Sequence, residues 1–422
     1  MTLLEPARWH LFGGLDRLAD LRDPRGETLK IWHPQQGAPE GPYIWVYCST
    51  IGEVNACKAF LQQAAEQGPL VLLTDRHCYR DSYWRHFPNA VVVELSGSPA
   101  DGARLARELP PQHFIVCEIP AQPVEAPCRL SYGVLRAAKQ AGAQCSLINA
   151  WLYGYQASCR IDAVEQRLLG QAFIQSFDVI STQTESVRKR LIELGADPAC
   201  VQVFGNLKFD ALEDTSTHLL DQRSRQVIEQ LEFAGREMVV AGCLTGDWEF
   251  ELVLEAFAKA YAENPSLYLI LAPRHPEYEE PMRHLWRLLD NSGLSYCVKS
   301  RLDKDESAEP HALMLLDTFG ELKSFYSRCS VGYVGINHNV LEPLSFGRTV
   351  LVSPGWEATY PSYPVYLTTR DLELIVEVAD AKALTREMLK SNQHRHADEI
   401  KQLLAEQCGA AAKNMRAVFG RE

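Results

Sequence analysis

Five short polar segments, each following an apolar run, carry residue types that could do chemistry. The first is Ser49-Thr50-Ile51-Gly52-Glu53-Val54-Asn55, where Gly52 permits a tight turn and Glu53 falls at a helix start. A carboxylate there can take a proton from a hydroxyl nucleophile, as general-base catalysis requires. It equally complements the positive end of a helix dipole. The second, residues 205–210 (GNLKFD), offers Lys208 either to an anion or as an exposed linker charge. The third is residues 273–277 (PRHPE), whose prolines stop a strand and fix a turn. Arg274 is then aimed from a strand's carboxyl end, where a guanidinium binds phosphate or carboxylate in bidentate fashion or pairs with a nearby acid. The fourth, residues 317–322 (DTFGEL), opens a helix whose first N–H groups suit a phosphate. In the fifth, Asn339 and Glu342 are three residues apart and share a helix face. That carboxylate can accept both hydroxyls of a ribose, while the spacing also fits a capping box. His338 reads as a structural hydrogen bonder.

The elements that must position these residues alternate regularly. Apolar runs at residues 43–48, 70–74, 90–95, 113–117, 145–149 and 178–181 form one series of expected strands. Residues 238–242, 267–272, 295–299, 312–316, 331–334 and 349–352 form a second. Continuous apolar runs are the mark of buried parallel strands. Amphipathic stretches lie between them, for example at 53–67, 185–194 and 248–262. The expected fold is therefore α/β, with two doubly wound Rossmann-like domains. The expected boundaries are residues 1–209, a polar linker at 210–225, and residues 226–422. Residues 382–419 are mostly helical in pattern and could pack back across the domains. Sites in such sheets lie at strand carboxyl ends, and a cleft between two facing domains is the expected active site.

Composition narrows the function classes. The chain has 422 residues, too many for one ordinary core. Its net charge, 42 − 54 = −12, disfavours nucleic acid and gives no broad attraction to anionic lipid. Any anionic ligand then needs a local basic pocket. Twelve cysteines are scattered without a CxxC or a metal-ligand spacing, which suits a reducing cytosol and small buried hydrophobes, with no bound metal. No stretch reaches the roughly 18 apolar residues of a membrane helix. The expected localisation is cytoplasmic, at most peripheral at the inner membrane.

Taken in order, the motifs resemble those of the Kdo transferases, which put 3-deoxy-D-manno-octulosonic acid (Kdo) onto lipid A precursors. That family carries Ser-Val-Gly-Glu-Val after its first strand, here STIGEV at 49–54. Its Gly-Asn-Leu-Lys-Phe-Asp and Pro-Arg-His-Pro-Glu are identical here at 205–210 and 273–277. Asp-Thr-Met-Gly-Glu-Leu becomes DTFGEL, and Gly-Gly-His-Asn-Pro-Leu-Glu-Pro becomes NHNVLEP at 337–343. The resemblance runs from about residue 44 to about residue 354.

It implies a GT-B fold and glycosyl transfer from a CMP-activated acidic sugar, such as Kdo, to a lipid A precursor or other glycan hydroxyl in surface-glycan synthesis. The transfer would be inverting, with neither metal nor cofactor. Glu53 matches the catalytic base and Arg274 the arginine on the donor phosphate. Gly320, Glu321, Asn339 and Glu342 match the donor-nucleotide pocket, with Lys208 grouped beside them. Glu118 and Asn149 match the acceptor side. The departures are clear. The family's apolar anchor and basic juxtamembrane stretch have no counterpart in these residues. Ser-Thr-His-Glu-Gly-Glu is CLTGDWE at 243–249, Thr-Thr-Thr-Pro-Thr-Gly is TDRHCY at 74–79, and Asn-Ala-Arg is Asn149-Ala150-Trp151. Two other readings remain: a transferase with a non-lipid acceptor, and a binding or regulatory protein that keeps the fold without turnover.

Overall fold

The structure, a computed structural model, describes residues 4–22, 24, 26, 28–37, 40–76, 79–118, 130–152, 162–213, 222–302, 307–390 and 396–420. The chain forms two compact units. Unit 1 comprises Met1–Ala211, Thr359–Pro361 and Glu406–Glu422, and unit 2 comprises Leu212–Ala358 and Ser362–Ala405.

Unit 1 holds strands β1 (Lys30–Trp32), β2 (Tyr43–Tyr47), β3 (Leu70–Thr74), β4 (Val91–Glu94), β5 (Pro111–Cys117), β6 (Gln144–Ala150), β7 (Val179–Thr182) and β8 (Val201–Val203). Its helices are α1 (Glu5–Arg22), α2 (Ile51–Ala65), α3 (Arg80–His86), α4 (Asp101–Glu108), α5 (Tyr132–Gln140), α6 (Asp162–Gln175) and α7 (Glu185–Glu193). The sheet order is β1-β4-β3-β2-β5-β6-β7-β8, parallel except for the antiparallel pair β1–β4. Winding runs outward from β2 through β3 and β4, then resumes on the other side with β5, so the topological switch point lies between β2 and β5. Side chains alternate between two cores. Trp45 and Tyr47 face one, while Ile44, Val46 and Cys48 face the other with Phe60 of α2.

Unit 2 repeats the plan. Helices α8 (Gln222–Phe233), α9 (Asp247–Glu263), α10 (Glu279–Asn291), α11 (Leu322–Tyr326), α12 (Leu341–Leu344), α13 (Tyr363–Asp371), α14 (Ala381–Leu389) and α15 (Ala397–Leu404) accompany its sheet. The strands are β9 (Glu237–Leu244), β10 (Leu267–Pro273), β11 (Tyr296–Val298), β12 (Leu313–Leu315), β13 (Val331–Val334), β14 (Thr349–Val352) and β15 (Ile375–Glu377). They are wholly parallel in the order β11-β12-β10-β9-β13-β14-β15, with the switch point between β9 and β13. The sequence did not reveal β1, β8 or β15. Each is a three-residue strand at a sheet edge with at most one buried residue and so lacks a continuous apolar run.

The division of the chain differs from the sequence expectation at its end. Residues 226–422 were expected in the second domain, yet Glu406–Glu422 belongs to unit 1. Helix α16 (Ala410–Phe419) buries Ala410, Ala411 and Val418 in the core containing α2, and Phe419 stacks on Phe60 at 6.2 Å. Asp210 fixes its start: the carboxylate accepts from Gly409 N at 2.5 Å and Ala411 N at 2.9 Å. The expected linker begins with a 3-10 turn at Phe209–Glu213, and residues 214–221 lie outside those described.

Candidate active site

In unit 1 the polar residues converge at the carboxyl ends of β2 and β5, on the two sides of the switch point. Thr50 is the N-cap of α2; its extended backbone lets the hydroxyl accept from Gly52 N at 3.2 Å. Glu53, three residues on, accepts from Thr50 N at 2.7 Å and from the Thr50 hydroxyl, which closes a capping box. Gly52 thus lies inside the first helical turn and is not the tight-turn residue expected. The loop is held by Ser49, which donates to Asp75 at 2.7 Å, and by Tyr83, which donates to the Cys48 carbonyl at 2.7 Å. Glu53 is 8% exposed. Burial first, and then the Glu118 charge, push its carboxyl up to about 7, against the opposing hydrogen bonds of Thr50.

Glu118 follows β5 with a positive φ of 58°, which turns its side chain into a buried network. Its Oε1 accepts from Lys208 Nζ at 2.6 Å, Gln183 Nε2 at 3.4 Å and Asn149 Nδ2 at 3.5 Å. Asn149, also at positive φ, accepts from Leu207 N at 2.9 Å and so fixes the segment that delivers Lys208. Asn206 donates to Gln183 at 2.8 Å and accepts from Lys208 N at 3.0 Å. Lys208 was grouped with the donor side; the structure instead buries it in unit 1 as the ion-pair partner of Glu118. The chain reverses at Gly205 and then enters the 3-10 turn, which points Lys208 back at the sheet.

In unit 2 the residues gather at the carboxyl ends of β9, β10 and β13. Arg274 follows β10, and its N–H donates to the Leu244 carbonyl at 2.8 Å. Its charge acts on Cys243 and on Glu342. Burial raises the Glu342 carboxyl above its ordinary range, while Lys323 and then Arg274 pull it down. Glu342 and Glu249 therefore share this corner with Arg274 and Lys323. At Gly335 a Cβ would meet the Cys243 carbonyl at 2.2 Å, so only glycine lets the two loops approach there.

Three donor-side expectations change in detail. Asn339 does not share a face of α12 with Glu342; it precedes the helix and accepts from Leu341 N at 3.2 Å. Glu321 is buried, accepting from Thr318 at 2.6 Å and facing Lys299 at 3.5 Å, so its carboxylate is internally paired. Helix α11 is five residues long with Glu321 at its N-cap, which puts a negative group where an anion was expected. Gly320 sits beside it at φ 85°.

The comparisons bear on this arrangement. The family model described as "3-Deoxy-D-manno-octulosonic-acid transferase (kdotransferase)" matches residues 129–211, a segment that includes Asn149, Gln183, Asn206 and Lys208. A 3-deoxy-D-manno-octulosonic acid transferase of Chlamydia muridarum is 26% identical over 351 residues, 78% of this chain and 75% of that protein. A second, from Chlamydophila psittaci, is 28% identical over 332 residues, 74% of this chain and 70% of that protein. The chain is thus similar to Kdo transferases over about three quarters of its length, and the segment matched by the family model lies within unit 1. It is also similar to a bifunctional glycosyltransferase/methyltransferase of Fusobacterium nucleatum, at 24% identity over 73% of this chain, and spans about half of that protein's length, 47%. Two solved structures share the fold: UDP-GlcNAc 2-epimerase from Neisseria meningitidis (TM-score 0.54, 12% identity, 90% of this chain and 100% of that one) and a glycosyltransferase from Rickettsia africae (TM-score 0.54, 9% identity, 90% and 99%). The architecture is thus of the GT-B type.

Several residues that shape these sites went unmarked in the sequence. Gln183 stands just after β7, where the carboxyl-end rule could have found it. Glu249 is buried, accepts from Thr245 N at 2.8 Å and Ile336 N at 2.9 Å, and so ties the loops after β9 and β13 across the switch point. Its one local signal is the Gly246-x-x-Glu249 spacing at the start of α9, which lacks the usual hydroxyl cap. Lys323, in the first turn of α11, lowers the Glu342 carboxyl.

Proposed function

We propose that this protein transfers Kdo or a related acidic sugar from a CMP-activated donor to a hydroxyl of a lipid A precursor or another glycan, with inversion and without a metal. The supporting observation is Glu53, a buried carboxyl at the switch point of unit 1 whose pKa stands at about 7. A base of that pKa holds an acceptor proton at neutral pH and can later release it. In the proposed step the acceptor oxygen bonds to the anomeric carbon as its proton passes to Glu53. The bond from that carbon to the phosphate oxygen breaks, and the electron pair leaves with CMP. Unit 2 would bind the donor, with Arg274 and Lys323 stabilising charge on the departing phosphate. The Glu118–Lys208 pair would keep the charge around Glu53 in balance.

A second reading, a binding protein without turnover, draws on the capping box, because Glu53 already accepts two bonds from Thr50. Incubating the purified protein with CMP-activated acidic sugars and glycan acceptors, and measuring released CMP, separates the two. Release that requires both acceptor and Glu53 supports transfer. Tight CMP binding with no release under any pairing supports the binding protein.

A further inference from the structure

A line of buried polar groups runs from the unit 1 site to the final helix. Between Leu147 and Ala150 the register of β6 against β7 slips. At that slip Asn149 takes a positive φ of 54°, and its N–H donates to the Ser181 hydroxyl of β7 at 3.1 Å. Ser181 in turn donates to Asn414 Oδ1 at 2.6 Å. Asn414 belongs to α16, which packs on β6 and β7. Its amide nitrogen donates to the Ala410 carbonyl one turn back at 2.9 Å, which leaves Oδ1 turned toward β7. Ser181 has one hydroxyl proton, given to Asn414, so its oxygen accepts from Asn149 and each bond sets the direction of the next. Asn149, Ser181 and Asn414 are all 0% exposed.

Three apolar residues would fill these positions without the penalty that an unpaired buried polar group carries. What Asn149 holds at its other end explains the polar ones. Its Oδ1 accepts from Leu207 N, the residue before Lys208, and its Nδ2 donates to Glu118. Its carbonyl accepts from Gln183 Nε2 at 3.1 Å, and Gln183 also donates to Glu118. Both members of the Glu118–Lys208 pair therefore hang on the placement of Asn149. The Glu118 charge in turn acts on Glu53. The Cys48 and Cys117 thiols at the carboxyl ends of β2 and β5, and the Tyr83 phenol of α3, also feel Glu53, and burial pushes all three up so that they stay protonated.

We infer that Asn414 is a positioning residue of the unit 1 site: acting through Ser181 and Asn149, it holds Glu118 and Lys208 in place beside Glu53. This rests on the reading of Glu53 as the base. The final helix then does more than cover the sheet. Asp210 fixes where α16 starts, and Asn414, one turn further on, carries that placement back to the charged pair.

The test compares Asn414→Leu, Ser181→Ala and the double variant with Val418→Ala, which loosens the packing of α16 without touching the line of bonds. Each full-length protein is read twice against pH: CMP release with a CMP-activated acidic sugar and a glycan acceptor, and denaturant stability with no substrate present. In Asn414→Leu and Ser181→Ala the Glu118 carboxylate is no longer pinned, and its repulsion of Glu53 weakens. The pH at which CMP release rises should fall by roughly half a unit. kcat should drop roughly ten- to hundredfold, with the donor KM nearly unchanged. The double variant should be no worse than either single change, because both act through one line. Val418→Ala should lower the melting temperature and leave the pH profile where it is. Without substrate, the wild-type loss of stability between 4.5 and about 7 should level off at a lower pH in Asn414→Leu and Ser181→Ala. If wild type releases no CMP while this substrate-free profile still moves, the transfer reading fails and the positioning stands. The inference is overturned if the profiles of Asn414→Leu and Ser181→Ala coincide with wild type, if Val418→Ala shifts them equally, or if the wild-type stability has no slope in that range.

Discussion

At Glu53 two demands meet in one carboxylate. It closes the capping box of α2, and burial with Glu118 nearby raises its pKa to about 7. If it is the base, Glu53→Gln should lower turnover by roughly 10²–10⁴-fold while CMP still binds. A Gln variant with near wild-type CMP release would remove Glu53 from the mechanism. The same pKa sets the pH dependence. Turnover should rise with pH through about 7, because only the ionised form accepts a proton. Stability should run the other way. The folded-state pKa lies above the ordinary value of 4.5, so the contribution of this group is full below pH 4.5 and is lost as pH rises through about 7. Denaturant titrations across that range should show the slope in wild type and a flatter one in Glu53→Gln. For Arg274, a charged hydrogen bond to phosphate is worth about 1.5–3 kcal/mol. Arg274→Ala should therefore weaken CMP binding roughly ten- to hundredfold by calorimetry, with little change in melting temperature. A destabilised variant with wild-type CMP affinity would instead make Arg274 a structural partner of Glu342.

Between elements, the decisive contact in unit 1 joins the loop after β5 to the segment after β8. Lys208 and Glu118 meet at 2.6 Å, both buried, with Asn149 and Gln183 around them. Removing one partner of a buried pair leaves an uncompensated charge, at a cost of about 3–5 kcal/mol. Lys208→Met should thus lower the stability of unit 1 by that order in urea. A marginal loss would show that the pair contributes little to the stability of unit 1. The GNLKFD segment earns its identity with the family motif through several roles at once: Asn206 and Lys208 build the network, and Asp210 holds α16.

For the molecule as a whole, the final helix closes the first unit. The Asp210 carboxylate receives two backbone N–H groups at the start of α16, about 200 residues away along the chain. Asp210→Ala should cost about 0.5–2 kcal/mol, the usual value of an N-terminal cap. Hydrogen exchange should show faster opening across α16 and the facing side of α2, with α9 and α14 in unit 2 unaffected. Equal acceleration in both units would contradict the assignment of α16 to unit 1.

The sequence by itself determined the fold class and most of the strand positions. Residues 70–74, 331–334 and 349–352 were bounded as observed, because buried parallel strands read as near-continuous apolar runs. It also brought Glu53, Arg274 and Glu342 to strand carboxyl ends, since motif order follows chain order. Only the tertiary structure decided what those side chains touch. Lys208 and Glu118 are 90 residues apart, and no local pattern announces their pairing. Glu321 carries the same family motif as a ligand-binding group would, yet its neighbour in space, Lys299, binds it internally. The return of α16 to unit 1 has the same origin. Periodicity reports that a helix has an apolar face, but which face is covered depends on the surface it meets, and the folded sheet provides that surface.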